Sequence, residues 1–456
     1  MKKSLFALAA LGALAGAAQA QSSVTVYGIV DMGMVGYNTR NANPISASAT
    51  NPAVVGGSGL GFGQSAQSTN RLGFRGTEDL GGGTRAFFTL ELGLAPMTTQ
   101  LINSGATQNR QAFIGLGQKG LGQASIGTQT TLVHDAAAAT DAGELNNIMG
   151  NMIYTVNTGL NNGATPYSAA TGSALANAQS AGISYTIRQN NMLKLQTERM
   201  AGFRGAATLV LNNTNSSTQS FNATTGATSG GVNNQMGWGI SADYSWKQLY
   251  ATANYQAFTS QNPWGSGTAG SSATGSTSST TVGSGVILGY PANGTPILAG
   301  SGQGSTLGIN VKDNQAYYAI TYDFGIVKAY LQYVDRKVTN ENFSSNYIQR
   351  TAQQIGLRSN LTPTISAWAS GGTGKYNAYG SGGTSNNIAG MQVGANYNLS
   401  KRTNLYAIYG QYSVSNAPSA TAASSGYQNN GTNTAQNLNA NSYNANNYAV
   451  GVRHTF

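Results

Sequence analysis

The sequence predicts an all-β membrane protein, a transmembrane antiparallel β-barrel of 16 strands. Three observations predict it. Apolar stretches of about ten residues recur with a period of two, the length a tilted strand needs to cross a bilayer. Short connections alternate with long ones, as when turns gather at one end of a barrel and loops at the other. Composition is the third observation. Charged residues make up 8% of the chain, against about 25% in soluble domains, and Tyr (24) outnumbers Phe (12) and Trp (4) together. Tyrosine, an apolar ring with a wet tip, suits a membrane–water interface.

Residues 1–20, "MKKSLFALAALGALAGAAQA", read as a signal peptide: Lys2 and Lys3, an apolar run, then Ala18-Gln19-Ala20 as a cleavage motif. The run is too short for a spanning helix, which needs about 20 apolar residues. The remaining residues, 21–456, are expected to form one barrel domain at Gln21 and beyond, exported through the periplasm. The absence of cysteine excludes disulfides and thiol chemistry. The formal charge is +10, and loss of Lys2 and Lys3 leaves 21 basic against 13 acidic residues, or +8. The basic residues are dispersed singly, which argues against nucleic acid as a partner.

The predicted strands begin with "SSVTVYGIVDMGMVGY", "RLGFRGTED", "RAFFTLELGL", "RQAFIGLGQ", "GQASIGTQ" and "AGISYTIR". "RGAATLVLN", "GWGISADYSW", "LYATANYQAF", "AYYAITYDF" and "VKAYLQYVDRK" follow. "RTAQQIGLRSNL", "TISAWASGGTGKY", "AGMQVGANYNL", "NLYAIYGQYSV" and "NNYAVGVRHTF" complete the set. Long connections are expected near 38–70, 95–109, 130–180, 212–236, 258–314 and 415–446. Closing the strands satisfies every backbone N–H and C=O in the hydrocarbon. A charge at mid-depth on the lipid face costs about 2–4 kcal/mol, so charges should turn inward. Leu72 and Phe74 facing lipid turn Arg71 and Arg75 to the lumen. Ala86, Phe88, Leu90 and Leu92 do the same for Arg85 and Glu91. Lys328, Gln332, Arg358 and Arg453 also fall inward, and the register of Arg110 is ambiguous.

"SSVTVYGIVDMGM", "RLGFRGTEDLGGGTRAFFTLELG", "NRQAFIGLGQKGLGQASIGTQ" and the terminal "YAVGVRHTF" resemble a Gram-negative general porin of the betaproteobacterial (Neisseria/Bordetella/Comamonas-like) type. The resemblance runs strand by strand over the mature chain. It implies a homotrimer of water-filled barrels in the outer membrane, each narrowed by an inward-folded third loop. It also implies that Tyr448, Val450, Val452, His454 and Phe456 form the signal read by the outer-membrane assembly machinery. Thr128 stands where such porins often carry arginine.

On this reading the third loop supplies His134, Asp135, Asp141 and Glu144 opposite a wall group of Arg71, Arg75 and Arg85, with Glu91 and Arg358 also in the constriction. Arginine rings favour anions and carboxylates favour cations. The expected function is passive diffusion of small hydrophilic solutes and ions, with an anion preference. Outer-membrane lipid and lipopolysaccharide are the expected surroundings, and no cofactor, metal or catalytic residue is expected. A substrate-specific anion porin, or an adhesin with a blocked pore, are the alternatives. The two histidines, His134 and His454, give a hydrolase or metal site little support. Gly115, Gly117 and Gly120 spell a GxGxxG at a hairpin with no helix to follow, which is not a dinucleotide site.

Overall fold

The computed structural model describes residues 23–42, 54–97, 101, 109–154, 184–221, 228–262, 287–289, 297–298, 309–340, 347–378, 385–417 and 441–456. The predicted signal peptide lies outside them. The barrel strands of the first half are β1 Ser23–Ala42, β2 Val54–Gln64, β3 Arg71–Gly81, β4 Thr84–Gly93, β5 Asn109–Gln118, β6 Gly122–Thr130, β7 Arg188–Thr197 and β8 Phe203–Phe221. Those of the second half are β9 Thr228–Trp246, β10 Leu249–Asn262, β11 Ile309–Asp323, β12 Lys328–Asn340, β13 Tyr347–Asn360, β14 Ile365–Ala378, β15 Ser385–Asn398, β16 Thr403–Ala417 and β17 Asn441–Thr455. A helix, α1 Leu132–Thr140, follows β6.

These 17 segments form one antiparallel sheet. Two of them, β2 and β3, are halves of a single barrel strand. Both pair with β1, the first from Ala42↔Val54 to Met32↔Gln64, the second from Ile29↔Arg71 to Ser23↔Thr77. The wall therefore has sixteen strands. It closes where β17 pairs with β1 from Ile29↔Thr455 to Ala42↔Ser442. Phe456 and Gly28 exchange backbone hydrogen bonds of 3.1 and 3.2 Å at the seam. Pairing the last strand with the first is what removes the two end edges of such a sheet from lipid.

Period-two alternation sets the two faces of the wall. Ile240 and Trp246 on β9, Tyr318, Ile320 and Tyr322 on β11, and Met391, Val393 and Tyr397 on β15 are exposed outward. Their neighbours Asp243, Thr321, Gln392 and Asn396 are buried on the lumen side. Tyr448, Val450, Val452, His454 and Phe456 share the outer face of β17. His454 sits at its rim, with Nδ1 2.8 Å from Thr403 Oγ1.

Three expectations need correction. "AGISYTIR" does not supply a wall strand; the sixth barrel strand is β7, which starts at Arg188. Tyr185 and Ile187 are buried beside Val133 of α1, so their alternation serves packing inside the barrel. The connection expected over 38–70 contains β2, whose Gly57, Gly59, Gly61 and Gly63 face inward between outward Leu60 and Phe62. Glycine is required at position 59, because the Tyr37 ring approaches within 2.5 Å of where a Cβ would stand. The loop expected over 212–236 is mostly strand, since β8 runs to Phe221 and β9 starts at Thr228.

The buried core is inside the barrel. Thr131 caps α1, its side chain accepting from the His134 N–H at 3.3 Å. The segment 131–154 then packs against inward side chains of both halves. Its Val133, Ala137, Met149 and Met152 meet Tyr317, Val334, Ala352 and Ile388. Ala142 and Ile148 meet Trp368, Tyr406 and Ile408.

Candidate functional site in the barrel lumen

A basic cluster gathers in the lumen from Arg71 of β3, Arg110 of β5 and Arg188 at the start of β7. Glu91 of β4 is its one carboxylate, with Arg110 Nε at 2.6 Å, Arg71 Nη1 at 3.8 Å and the Tyr27 hydroxyl donating at 3.1 Å. Arg188 stands at the start of β7 and interacts electrostatically with Arg110, Glu91 and Arg71. Its Nε, buried, has no hydrogen-bond partner among the described residues. Three guanidiniums thus share one carboxylate. Arginine keeps its charge at any working pH, so the wall carries a fixed positive excess.

The ambiguity at Arg110 has a structural cause. Register slips between Glu91↔Gln111 and Leu92↔Asn109, leaving Arg110 as the extra residue of a bulge. Such bulges re-aim a side chain, and this one turns Arg110 inward to 6% exposure.

The expected group of Arg71, Arg75 and Arg85 is not a cluster. All three lie on the inward register, but Arg75 pairs with Thr89 and Arg85 with Asp79, beside the β3–β4 turn. At about 3.3 Å per residue, Arg75 is roughly 13 Å along the strand from Arg71, and Arg85 is farther still. Arg75 lies over the Tyr27 ring at 5.4 Å. Arg85 lies over Phe87 at 5.7 Å and donates to Gln123. Both belong to the vestibule at the short-turn end.

The four loop residues also separate. Asp135 pairs with Lys194 of β7 rather than with an arginine. Glu144 meets Arg358 of β13 at 2.7 Å and Arg453 of β17 at 3.8 Å. Asp141 has no cation paired with it among the described residues. It is bound by Asn151 Nδ2 at 2.8 Å, Gln354 Nε2 at 3.0 Å and the Leu145 N–H at 2.9 Å. Burial pushes its carboxyl above the ordinary range, against the pull of those donors. His134 faces the basic cluster, its Nδ1 3.4 Å from the Tyr185 hydroxyl. Burial, and then Arg188, Arg110, Arg71 and Lys194, hold the imidazole well below its usual range and neutral.

Inward glutamines on the second half fasten the loop. Gln256 and Gln315 bond each other at 2.7 Å and take up the N–H groups of Val133 and Thr186. Gln354 accepts from Met152 N at 2.7 Å, and Gln392 donates to Met149 O at 3.0 Å. Gln332 donates to the Tyr317 hydroxyl, which lies 2.6 Å from Thr140 Oγ1. Arg336 is spent on Asp313 at 2.5 Å. Sequence reasoning placed Gln332 inward but gave these amides no role in holding the loop, and it missed Arg188. Alternation signals the inward face of the amides, but nothing in the pattern signals Arg188 inside a misplaced strand.

A closed barrel with an apolar outer wall and a charged, polar interior defines a membrane-spanning channel protein. The chain belongs to the Gram-negative porin family, whose model matches residues 7–417. It is 33% identical over 205 residues to an outer membrane porin of Bordetella pertussis, covering 45% of this chain and 46% of that one. It is 54% identical over 91 residues to outer membrane porin protein 32 of Delftia acidovorans, covering 20% and 22%. The matched stretches thus span under half of either relative. Among solved structures, the anion-selective porin from Comamonas acidovorans superposes with TM-score 0.58 over 96% of this chain and all of that one, at 18% identity. The trimer form of OmpT of Vibrio cholerae gives 0.53 over 95% and 99%, at 13% identity. At these identities the likeness is one of fold. Family and barrel together locate the chain in the outer membrane.

Proposed function

We propose that the protein is a homotrimeric diffusion porin that passes small hydrophilic solutes and ions and prefers anions. The observation that carries the preference is the wall of Arg71, Arg110 and Arg188 around Glu91 alone. A concentrated fixed charge in a low-dielectric-walled passage selects against ions of its own sign. The segment 131–154 narrows the passage, and Glu144, partly exposed and held by Arg358 and Arg453, supplies the opposing charge. Arg75 and Arg85 steer anions from the short-turn vestibule. The outer face supports assembly. From β1 to β8 no described outward side chain is Tyr or Trp, whereas β9 to β17 carry Trp238, Trp246, Tyr318, Tyr322, Tyr397 and Tyr448 outward. A girdle on one side only fits a barrel whose other side meets a second copy. Lipid and lipopolysaccharide then surround the girdled side, and the outward residues of β17 down to Phe456 serve the assembly machinery.

The test is the reversal potential of the refolded protein in a planar bilayer under a KCl gradient. A chloride-leaning potential is expected, moving toward potassium when Arg71, Arg110 and Arg188 are all replaced by glutamine. A cation-leaning wild type sinks the charge assignment, and folded protein without conductance sinks the pore.

A further inference from the structure

The second barrel strand is broken at one place. Between Gln64 and Arg71, the six residues Ser65–Asn70 stand opposite only Val30 and Asp31 of β1, while register is regular on either side. A single extra residue makes a bulge; an excess this large drives the chain out of the wall. It goes inward. Ser65, Ala66, Gln67 and Asn70 are buried, Ala66 against the cluster of Trp368, Tyr406 and Ala142. Ser65 turns the corner with φ of 63°, in the left-handed region.

Asp31 holds this knuckle. Its Oδ2 accepts from the N–H groups of Gln67 at 2.7 Å and Ser68 at 2.6 Å, and Oδ1 accepts from the Tyr406 hydroxyl at 2.5 Å. The Asp31 N–H donates to Asn70 Oδ1. A fully buried carboxylate is costly unless hydrogen-bonded, and here its bonds go to the knuckle and to β16. Gln67 is clasped by Asn396 of β15 at 2.6 Å and Asn404 of β16 at 2.9 Å.

Three of the knuckle's acceptors face the loop. Ala66 O accepts from the Asn147 N–H at 3.0 Å, Ser65 O from Asn147 Nδ2 at 2.7 Å, and Thr69 Oγ1 from the same Nδ2 at 3.2 Å. Asn147 lies between Glu144 and Met149, both fastened to the opposite half. The loop is thus held from two sides: Asp135 ties its start to Lys194 of β7, and Asn147 ties its later part to the knuckle that Asp31 holds.

We propose that Asp31 is a positioning residue: it clamps Ser65–Asn70 as a latch that anchors the third loop through Asn147 and so keeps the channel open and quiet. The proposal rests on the pore reading above. The experiment records single channels of the refolded full-length protein carrying Asp31→Asn, Asn147→Ala or both. Asparagine at position 31 turns an amide donor toward two N–H donors, or toward the tyrosine in place of a charged acceptor, so part of the clamp is lost. Asn147→Ala leaves the clamp and every charge in place and removes only the side chain that donates to the knuckle.

Closures should become up to about tenfold more frequent in either variant, the rate equivalent of one hydrogen bond. The double variant should add little to either single one, because both break the same chain of contacts. Asn147→Ala should leave the reversal potential unchanged. Wild-type closure frequency in folded Asn147→Ala overturns the latch, as do additive effects in the double variant. If Asp31→Asn does not fold, Asn147→Ala decides alone. Conducting wild type with quiet variants overturns the latch and leaves the porin, whereas folded wild type without conductance overturns both.

Discussion

The two halves of this barrel do different work with the same alternating strand. In the first half, β1 to β8, the lumen side gathers Arg71, Arg110 and Arg188, and the outer side is aliphatic and phenylalanine-lined. In the second half, the lumen side offers Gln256, Gln315, Gln354 and Gln392 to the loop, and the outer side carries the Tyr and Trp girdle. The division has exceptions: Arg336, Arg350, Arg358 and Arg453 face inward in the second half. Arg336 is paired with Asp313, Arg358 and Arg453 with Glu144, and Arg350 donates to Met152 O. The arginine cluster around Glu91 belongs to one half, and the neutral amides that hold the loop's backbone belong to the other. The lesson is physical. A glutamine positions a loop without adding to the field an ion crosses, whereas an unpaired arginine acts on that field at a distance.

The largest expected effect breaks the outer comparison. Phe62→Asp in β2 and Ile355→Asp in β13 each put a carboxylate on an exposed apolar position of the wall. A carboxylate on the lipid face costs up to a few kcal/mol, and both variants should fold less efficiently. Only Phe62→Asp should abolish the trimer, read as unheated mobility on a gel and as loss of three-step conductance. Loss of the trimer in Ile355→Asp alone would exchange the roles of the two faces.

The inner comparison yields the next effect. Gln354→Ala combined with Gln392→Ala removes bonds to Met152, Asp141 and Met149. Channel noise should rise while the reversal potential stays near wild type. Replacing Arg75 and Arg85 by glutamine should do the opposite on a smaller scale: quiet channels, with a shift toward potassium below that of the Arg71, Arg110 and Arg188 variant. The vestibule effect should fade at high salt, because the Debye length falls from about 10 Å at 0.1 M to 3 Å at 1 M.

Much of the wall was legible in the sequence, because lipid on one side and water on the other force a period of two. The terminal strand, the outward faces of β9, β11 and β15, and the inward turn of Arg71, Glu91 and Arg358 all follow from that constraint. What the period could not show is where it lapses. Glycine at every second position of β2 mutes the contrast between faces. Tyr185 and Ile187 alternate because they pack against α1, so they mimic a strand that begins at Arg188. The bulge at Arg110 and the knuckle at Ser65–Asn70 shift register within otherwise regular strands. The grouping of Arg71 with Arg75 and Arg85 failed for a simpler reason: sharing a face says nothing of height along the pore.

The smallest effect is an absence of change, and it tests the neutral state of His134. An ordinary imidazole gains its charge between about pH 8 and pH 6, and one beside Arg71, Arg110 and Arg188 would then add to their field. His134 is held well below 6.5, first by burial and then by those arginines and Lys194. The reversal potential should therefore stay flat across that window. Stability should not. The depressed group binds its proton less readily folded than unfolded, so stability is complete above the ordinary value and declines as pH falls below it. His134→Gln should remove that part of the decline and leave the flat reversal potential as it was. A potential that moves toward chloride on acidification in wild type, and not in His134→Gln, would show the imidazole charging in the open pore and would place it among the selecting groups of the basic half.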